Sequence, residues 1–154
     1  MGSSVRMPTP RDHARALQAA EEVCLRMGAR LTRLRQNVLL SVLSAQRPLT
    51  AYEILDLLRP KDPSATPAGV YRSLDFLTEL GLVHRIESAK SFVACAMPDH
   101  THPSQMLVCR RCGTVVETED SQVAQAMESL GRRLGFALDH NTMEFVGLCS
   151  SCRG

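Results

Sequence analysis

Apolar residues recur at helical spacing four times in the first half of the chain. Leu17, Ala20, Cys24 and Met27 share one stripe of a segment from Asp12 to about Met27, and Gly28 supplies its stop. Cys24 on this stripe reads as a small buried hydrophobe. A second helix follows Thr32 as N-cap, with Leu34, Val38 and Val42 on one stripe and Leu39 and Leu43 beside it, and ends before Gln46-Arg47-Pro48. Thr50-Ala51-Tyr52-Glu53 is a capping box, in which hydroxyl and carboxylate satisfy each other's orphan backbone donors. It predicts a third helix from Ala51 to about Leu58. Thr66-Pro67 opens a fourth, with Val70, Leu74 and Leu77 inward, Tyr71, Arg72 and Asp75 outward, and Gly81 as its stop.

The period then shortens. Leu82 to Glu87 and Ser91 to Cys95 read as two short strands joined by Ser88-Ala89-Lys90. Three helices followed by a hairpin make a winged helix-turn-helix, whose last helix enters the major groove of DNA. A small helical bundle with an appended hairpin is the plainer alternative, since helix-turn-helix geometry is weakly encoded in sequence.

Residues 96–105 hold two prolines and no apolar period, so they read as a hinge. Beyond it come strands around Met106 to Cys109 and Thr114 to Glu117, a helix from Ser121 to Leu134 and a strand from Thr142 to Leu148. In that helix Val123, Met127, Leu130 and Leu134 share a face, with Ala126 beside them. The expected class is α+β. It comprises a flexible arm (1–11), a winged-helix DNA-binding domain (12–95), the hinge, and a small αβ dimerisation and zinc-binding domain (106–154). A domain of about 50 residues buries too little surface alone, so a metal and a second copy are both expected to support it.

Cysteine spacing supplies the metal. Cys109-Arg110-Arg111-Cys112 and Cys149-Ser150-Ser151-Cys152 are separated by 36 residues, and each two-residue gap lets both sulfurs face one centre. Two such turns complete the closed tetrahedral shell of structural zinc. A redox Cys-x-x-Cys normally stands alone, and a closed site does no catalysis. Function is therefore expected elsewhere in the chain.

Charge adds a weaker hint. Residues 1–90 carry 13 Lys and Arg against 9 Asp and Glu, a balance of +4, whereas residues 91–154 carry 5 against 7, or −2. The first half suits nucleic acid. Six cysteines with no signal peptide and no long apolar run point to a reducing, cytoplasmic setting, with no membrane partner. Zinc-deaminase chemistry needs His-x-Glu followed by Pro-Cys-x-x-Cys, and neither occurs, so the chain is expected not to be an enzyme and to take no small-molecule substrate.

Leu31-Thr32-Arg33-Leu34-Arg35, Val70-Tyr71-Arg72-Ser73-Leu74, Gly81-Leu82-Val83-His84 and the paired Cys-x-x-Cys turns, in this order, resemble the ferric uptake regulator superfamily, most closely its zinc uptake regulator branch. The resemblance covers nearly the whole chain after the arm. It implies a bacterial, homodimeric, metal-dependent transcriptional repressor controlling zinc uptake genes from an inverted-repeat operator. Two positions depart from the family pattern. Arg33-Leu34 stands where Pro-Gln is usual, and Gly69 stands where Thr usually precedes Val-Tyr-Arg, so a hydroxyl that could touch a phosphate is missing.

A metal-responsive repressor needs a second, reversible site. His84, Cys95, His102 and Glu117 collect around the hinge, and the resemblance assigns these four as regulatory ligands, giving two Zn2+ per chain. One thiolate, two imidazoles and one carboxylate suit Zn(II), whereas an iron or manganese sensor would use harder ligands. Singly, His84 could be a wing residue, Cys95 a buried thiol and Glu117 a solvated carboxylate. His102 is preferred to His100 because its spacing from Cys109 fits the branch. His100, Glu119 and His140 are candidates for an auxiliary site. On the DNA side, Tyr71 and Arg72 are the expected readers, Tyr52 the next choice, and Arg35 a phosphate contact or a packing partner. The alternatives are an iron- or peroxide-sensing repressor of the same superfamily and a zinc-stapled interaction module without DNA binding.

Overall fold

The computed structural model of the chain describes residues 10–45, 47–95, 104–138 and 142–154. They form two compact units, an N-terminal one over residues 10–95 and a C-terminal one over residues 104–154.

In the N-terminal unit, α1 (Pro10–Arg26), α2 (Arg33–Ser44), α3 (Ala51–Leu58) and α4 (Pro67–Glu79) precede a hairpin of β1 (Val83–Ile86) and β2 (Ser91–Ala94). Three threonines start three of the helices. Thr32 Oγ1 accepts the Arg35 N–H at 3.4 Å, Thr50 forms the full capping box with Glu53, and Thr66 Oγ1 accepts the Gly69 N–H at 3.1 Å. Each such cap is worth about 1 kcal/mol. Helix α1 begins at Pro10, two residues before the expected start, a first-turn position that proline tolerates. Met27 does not join the buried stripe. It falls past the end of α1, where Gly28 turns at φ +64°, and it is 68% exposed.

The core is made where α2, α3 and α4 cross. Val38, Leu39, Ile54, Leu55, Val70, Leu74 and Leu77 are buried there, with Ala20 and Cys24 of α1 also out of solvent. Each large side chain contributes about 1.5–3 kcal/mol by leaving water. The wing strands pair antiparallel, Val83 opposite Ala94 and His84 opposite Val93, around a 3-10 turn at Glu87–Ala89. Leu49, between α2 and α3, adds a bridge to Phe92 through reciprocal bonds of 3.0 and 2.8 Å. The wing is thereby tied to the helices, a link that the apolar pattern does not reveal.

The C-terminal unit contains β3 (Ser104–Cys109), β4 (Val115–Thr118), α5 (Ser121–Leu134), β5 (Thr142–Gly147) and the short α6 (Ser150–Arg153). Its sheet has the order β4-β3-β5, with β3 antiparallel to β4 and parallel to β5. A parallel neighbour needs a long crossover, and α5 lies in that connection. Strand β3 starts at Ser104, so Ser104 and Gln105 belong to the sheet although the sequence places them in the hinge. Gln105 also seats α5. Its side chain exchanges bonds with the backbone of Asp120, at 2.6 and 3.3 Å, while Asp120 Oδ1 caps the N–H groups of Gln122 and Val123. Gly135, at φ +77°, ends the helix.

Two apolar surfaces of this unit remain in solvent. Leu134 on the α5 stripe is 62% exposed, with Leu130 beside it also open, and the register partners Leu107 and Phe145 are exposed on the sheet. Among the described residues, no helix is long and apolar enough to cross a membrane.

Candidate metal centres and nucleic-acid face

Because β3 and β5 run parallel, their C-terminal ends lie at the same edge of the sheet. Cys109 is the last residue of β3, in register with Gly147, and Cys149 follows β5 by two residues. Bonds from Gly113 N to Cys109 O at 2.9 Å and from Cys152 N to Cys149 O at 3.0 Å fold each Cys-x-x-Cys into a tight turn. The four sulfurs consequently come within 4.8 Å of one another, and Cys112 Sγ is 3.7 Å from Cys149 Sγ. A tetrahedral zinc with bonds of about 2.3 Å has sulfur–sulfur edges of about 3.8 Å. The donor set and its spacing fit that ion.

The protonation pattern agrees. Amide hydrogen bonds from Cys149 and Cys112 hold the Cys109 thiol down to about 6, and hydrogen bonds from the hydroxyl and amide of Thr114 lower Cys112. Cys152 is pushed up to about 12, chiefly by its hydrogen bonds with the Cys149 and Cys112 side chains. Four thiolates cannot crowd together without a cation, and a divalent ion at their centre reverses that penalty. Thr114 and Arg111, whose Nη1 donates to Cys152 O at 2.9 Å, are supporting residues that the sequence reading missed. No spacing rule marks them.

A second pair forms within the wing. His84 faces Val93, and Cys95 stands two residues beyond Val93, so the two side chains are diagonal neighbours on one sheet face. Both are buried, and a ring nitrogen of His84 lies within 4.8 Å of Cys95 Sγ. The Cys95 N–H, bonded to Leu82 O at 3.0 Å, fixes the strand end. In the C-terminal unit, Glu117 is half-buried on β4, and its Oε1 accepts the Ser104 hydroxyl at 2.7 Å. Glu119 is exposed beside the α5 cap. His100, His102 and His140 lie outside the described residues.

Helix α4 presents Tyr71 and Arg72 to solvent, and Tyr52 is open on α3. Arg35 is engaged differently. Its guanidinium stacks 3.5 Å above the Phe76 ring and donates from Nη1 to Arg30 O at 2.6 Å, the geometry of a packing contact.

The ferric uptake regulator family model matches residues 26–146. The chain belongs to the ferric uptake regulator family. Within the family it is 44% identical over 137 residues to the zinc uptake regulation protein of Escherichia coli K12, covering 88% of this chain and 80% of the relative. A structure of a zinc uptake regulator complexed with zinc and DNA superposes with a TM-score of 0.83 at 43% identity, over 92% of this chain and 95% of the other. The crystal structure of holo XcZur gives 0.79 at 40%, over 92% and 98%. The family resemblance read from the sequence therefore holds, as does the zinc uptake branch within it.

Proposed function

We propose that the chain is a zinc-responsive transcriptional repressor that binds an inverted-repeat operator as a homodimer and controls zinc uptake genes in the bacterial cytoplasm. The observation that carries this reading is the His84–Cys95 pair on the wing, a buried imidazole and thiol that share no residue with the four-cysteine cluster. Cys109, Cys112, Cys149 and Cys152 hold a structural zinc. His84, Cys95, His102 and Glu117 hold the regulatory one, two zinc ions per chain in all. A thiolate in the second set favours Zn(II) over Fe(II) and Mn(II). The Ser104 hydroxyl orients Glu117 as an outer partner orients a ligand. Relatives described with zinc and with DNA support the same assignment.

When bound, zinc supplies a divalent charge and a fixed tetrahedral geometry. His84 and Cys95 belong to the N-terminal unit and Glu117 to the C-terminal one, so a shared ligand set restricts how the DNA-binding units are presented. In a dimer, the two α4 helices then reach successive major grooves about 34 Å apart. Arg72 offers a bidentate fork to guanine, and Tyr71 flanks it. The exposed Leu107, Phe145, Leu130 and Leu134 supply apolar surface for the second copy. By linkage, operator DNA tightens zinc binding by the factor through which zinc tightens DNA binding.

Fluorescence anisotropy on the chain's own upstream promoter duplex, with free zinc set by a metal buffer and ferrous iron and manganese as comparators, tests the reading. Binding is expected to switch on with zinc at a far lower free concentration than with either comparator. Preference for iron or manganese would make it an iron or peroxide sensor. Binding indifferent to zinc would unseat the regulatory ligands, and no binding at all would leave a zinc-stapled interaction module.

A further inference from the structure

The two departures from the family pattern, Leu34 and Gly69, meet in space. A Cβ at Gly69 would lie 3.2 Å from Leu34 Cδ2 and 3.2 Å from Thr66 Oγ1. The second neighbour cannot retreat freely, because Thr66 Oγ1 accepts the Gly69 N–H at 3.1 Å and caps α4. Leu34 would have to move instead, and it is packed against the core. Phe76, on the same face of α4 seven residues later, carries the Arg35 guanidinium at 3.5 Å. The loop before α2 pins that guanidinium through Arg30 O at 2.6 Å.

Consecutive residues in the first turn of α2 thus touch α4 at points about 10 Å apart along its axis. One contact would let a helix tilt or slide. Two contacts set its tilt and its axial position together. Tyr71 and Arg72 lie between the two points in sequence and face outward. Bidentate base recognition tolerates misplacement of only about 0.5 Å.

We infer that Leu34 and Arg35 are positioning residues for base reading, and that Leu34 and Gly69 form a matched pair, the absent side chain at 69 making room for the leucine. This rests on the proposed reading of α4 as the DNA-facing helix. A side chain at 69 needs a few tenths of an ångström, and because Leu34 is packed against the core, part of that shift falls on the first turn of α4, which leads into Tyr71 and Arg72. Removing the Arg35 guanidinium frees the helix at its other anchor.

The test uses the zinc-loaded full-length protein and two duplexes, one that it selects from a random pool and a scrambled one of equal composition. The ratio of their Kd values gives discrimination, and denaturant midpoints follow stability separately. Gly69→Ala is expected to lower discrimination about tenfold, although alanine is the better helix former. Adding Leu34→Val, which relieves the close approach of Cδ2 and keeps an apolar contact on α4, should restore discrimination to within about threefold of the parent, the coupling expected of residues in contact. Arg35→Met should lower discrimination and leave the salt slope of binding unchanged, whereas loss of a phosphate contact reduces that slope by about one. Full discrimination by Gly69→Ala, or a double variant no better than Gly69→Ala, overturns the matched pair. A reduced slope for Arg35→Met overturns its positioning role. Arg72→Ala separates the levels. Unchanged affinity of Arg72→Ala for both duplexes defeats the DNA-facing reading and this inference with it, whereas weakened binding there beside an unaffected Gly69→Ala defeats the inference alone.

Discussion

Thr50 and Glu53 satisfy each other's backbone at the first turn of α3. The Thr50 N–H donates to Glu53 Oε2 at 2.8 Å, and the Glu53 N–H donates to Thr50 Oγ1 at 3.3 Å. Arg47 Nη2 completes the arrangement with a 2.8 Å bond to Glu53 Oε1. The Arg47 hydrogen bond first, and the Thr50 amide second, lower the Glu53 carboxyl from 4.5 to about 2. A folded value below the unfolded one stabilises fully above about pH 4.5, and the contribution is lost as pH falls toward 2. With the Glu53 side chain 40% exposed, solvent screening reduces it to about 1 kcal/mol. Glu53→Gln should therefore be about 1 kcal/mol less stable than the parent at neutral pH, with the gap closing in acid. Paired denaturant titrations measure the gap, because metal loss in acid is common to both proteins. A gap constant through the window would place the whole effect in cap geometry.

Arg72 projects from the face of α4 opposite Val70, Leu74 and Leu77, so shortening it leaves the core intact. Arg72→Ala should cost about 1–3 kcal/mol of operator affinity and relax base preference, with thermal stability unchanged. Competition between selected and scrambled duplexes reads this directly. An equal loss on both duplexes would demote Arg72 to a phosphate contact.

The helices of the N-terminal unit were legible because their starts are marked locally. Thr32, Thr50 and Thr66 each cap from within three residues, and the cysteine gaps of the metal cluster are equally local. What pairs with β3 was not legible. Cys109 and Cys149 meet because β3 and β5 are parallel neighbours, and period-two patterning says nothing about a strand's partner. The Leu49–Phe92 bridge and the seat of Arg35 on Phe76 were hidden for the same reason, as contacts between residues remote in sequence. Met27 misled because helical spacing continues one residue beyond Arg26, where α1 ends, into the turn that Gly28 makes.

Lys90 closes the wing turn in a left-handed conformation, φ +46° and ψ +43°, which costs an L-residue about 1–2 kcal/mol. Glycine adopts it freely but loses about 0.5–1 kcal/mol through its flexible unfolded state. Lys90→Gly should therefore stabilise the protein by up to about 1 kcal/mol, and Lys90→Val, whose branched Cβ suits that region least, should destabilise it. Thermal unfolding of both variants checks the sign. A glycine variant less stable than the parent would mean that the lysine stem contributes more by packing than the turn costs.

The two proposed sets of metal ligands make opposite predictions for single cysteines. Cys109 ends the central strand and receives the Cys149 N–H on its sulfur at 3.4 Å, so Cys109→Ser breaks the cluster that closes the C-terminal unit. Binding energy at such a site is folding energy. That variant should lose its structural zinc, much of its helical signal from α5, and its dimer. Cys95 sits at the end of the wing, where a serine nearly preserves the volume. Cys95→Ser should keep its fold, its dimer and one zinc per chain, and lose only zinc-dependent DNA binding. Metal analysis after gel filtration, with circular dichroism and anisotropy on the same samples, distinguishes the two. Equal zinc loss and equal unfolding in both variants would mean that one centre does both tasks, and the division into structural and regulatory sites would fall.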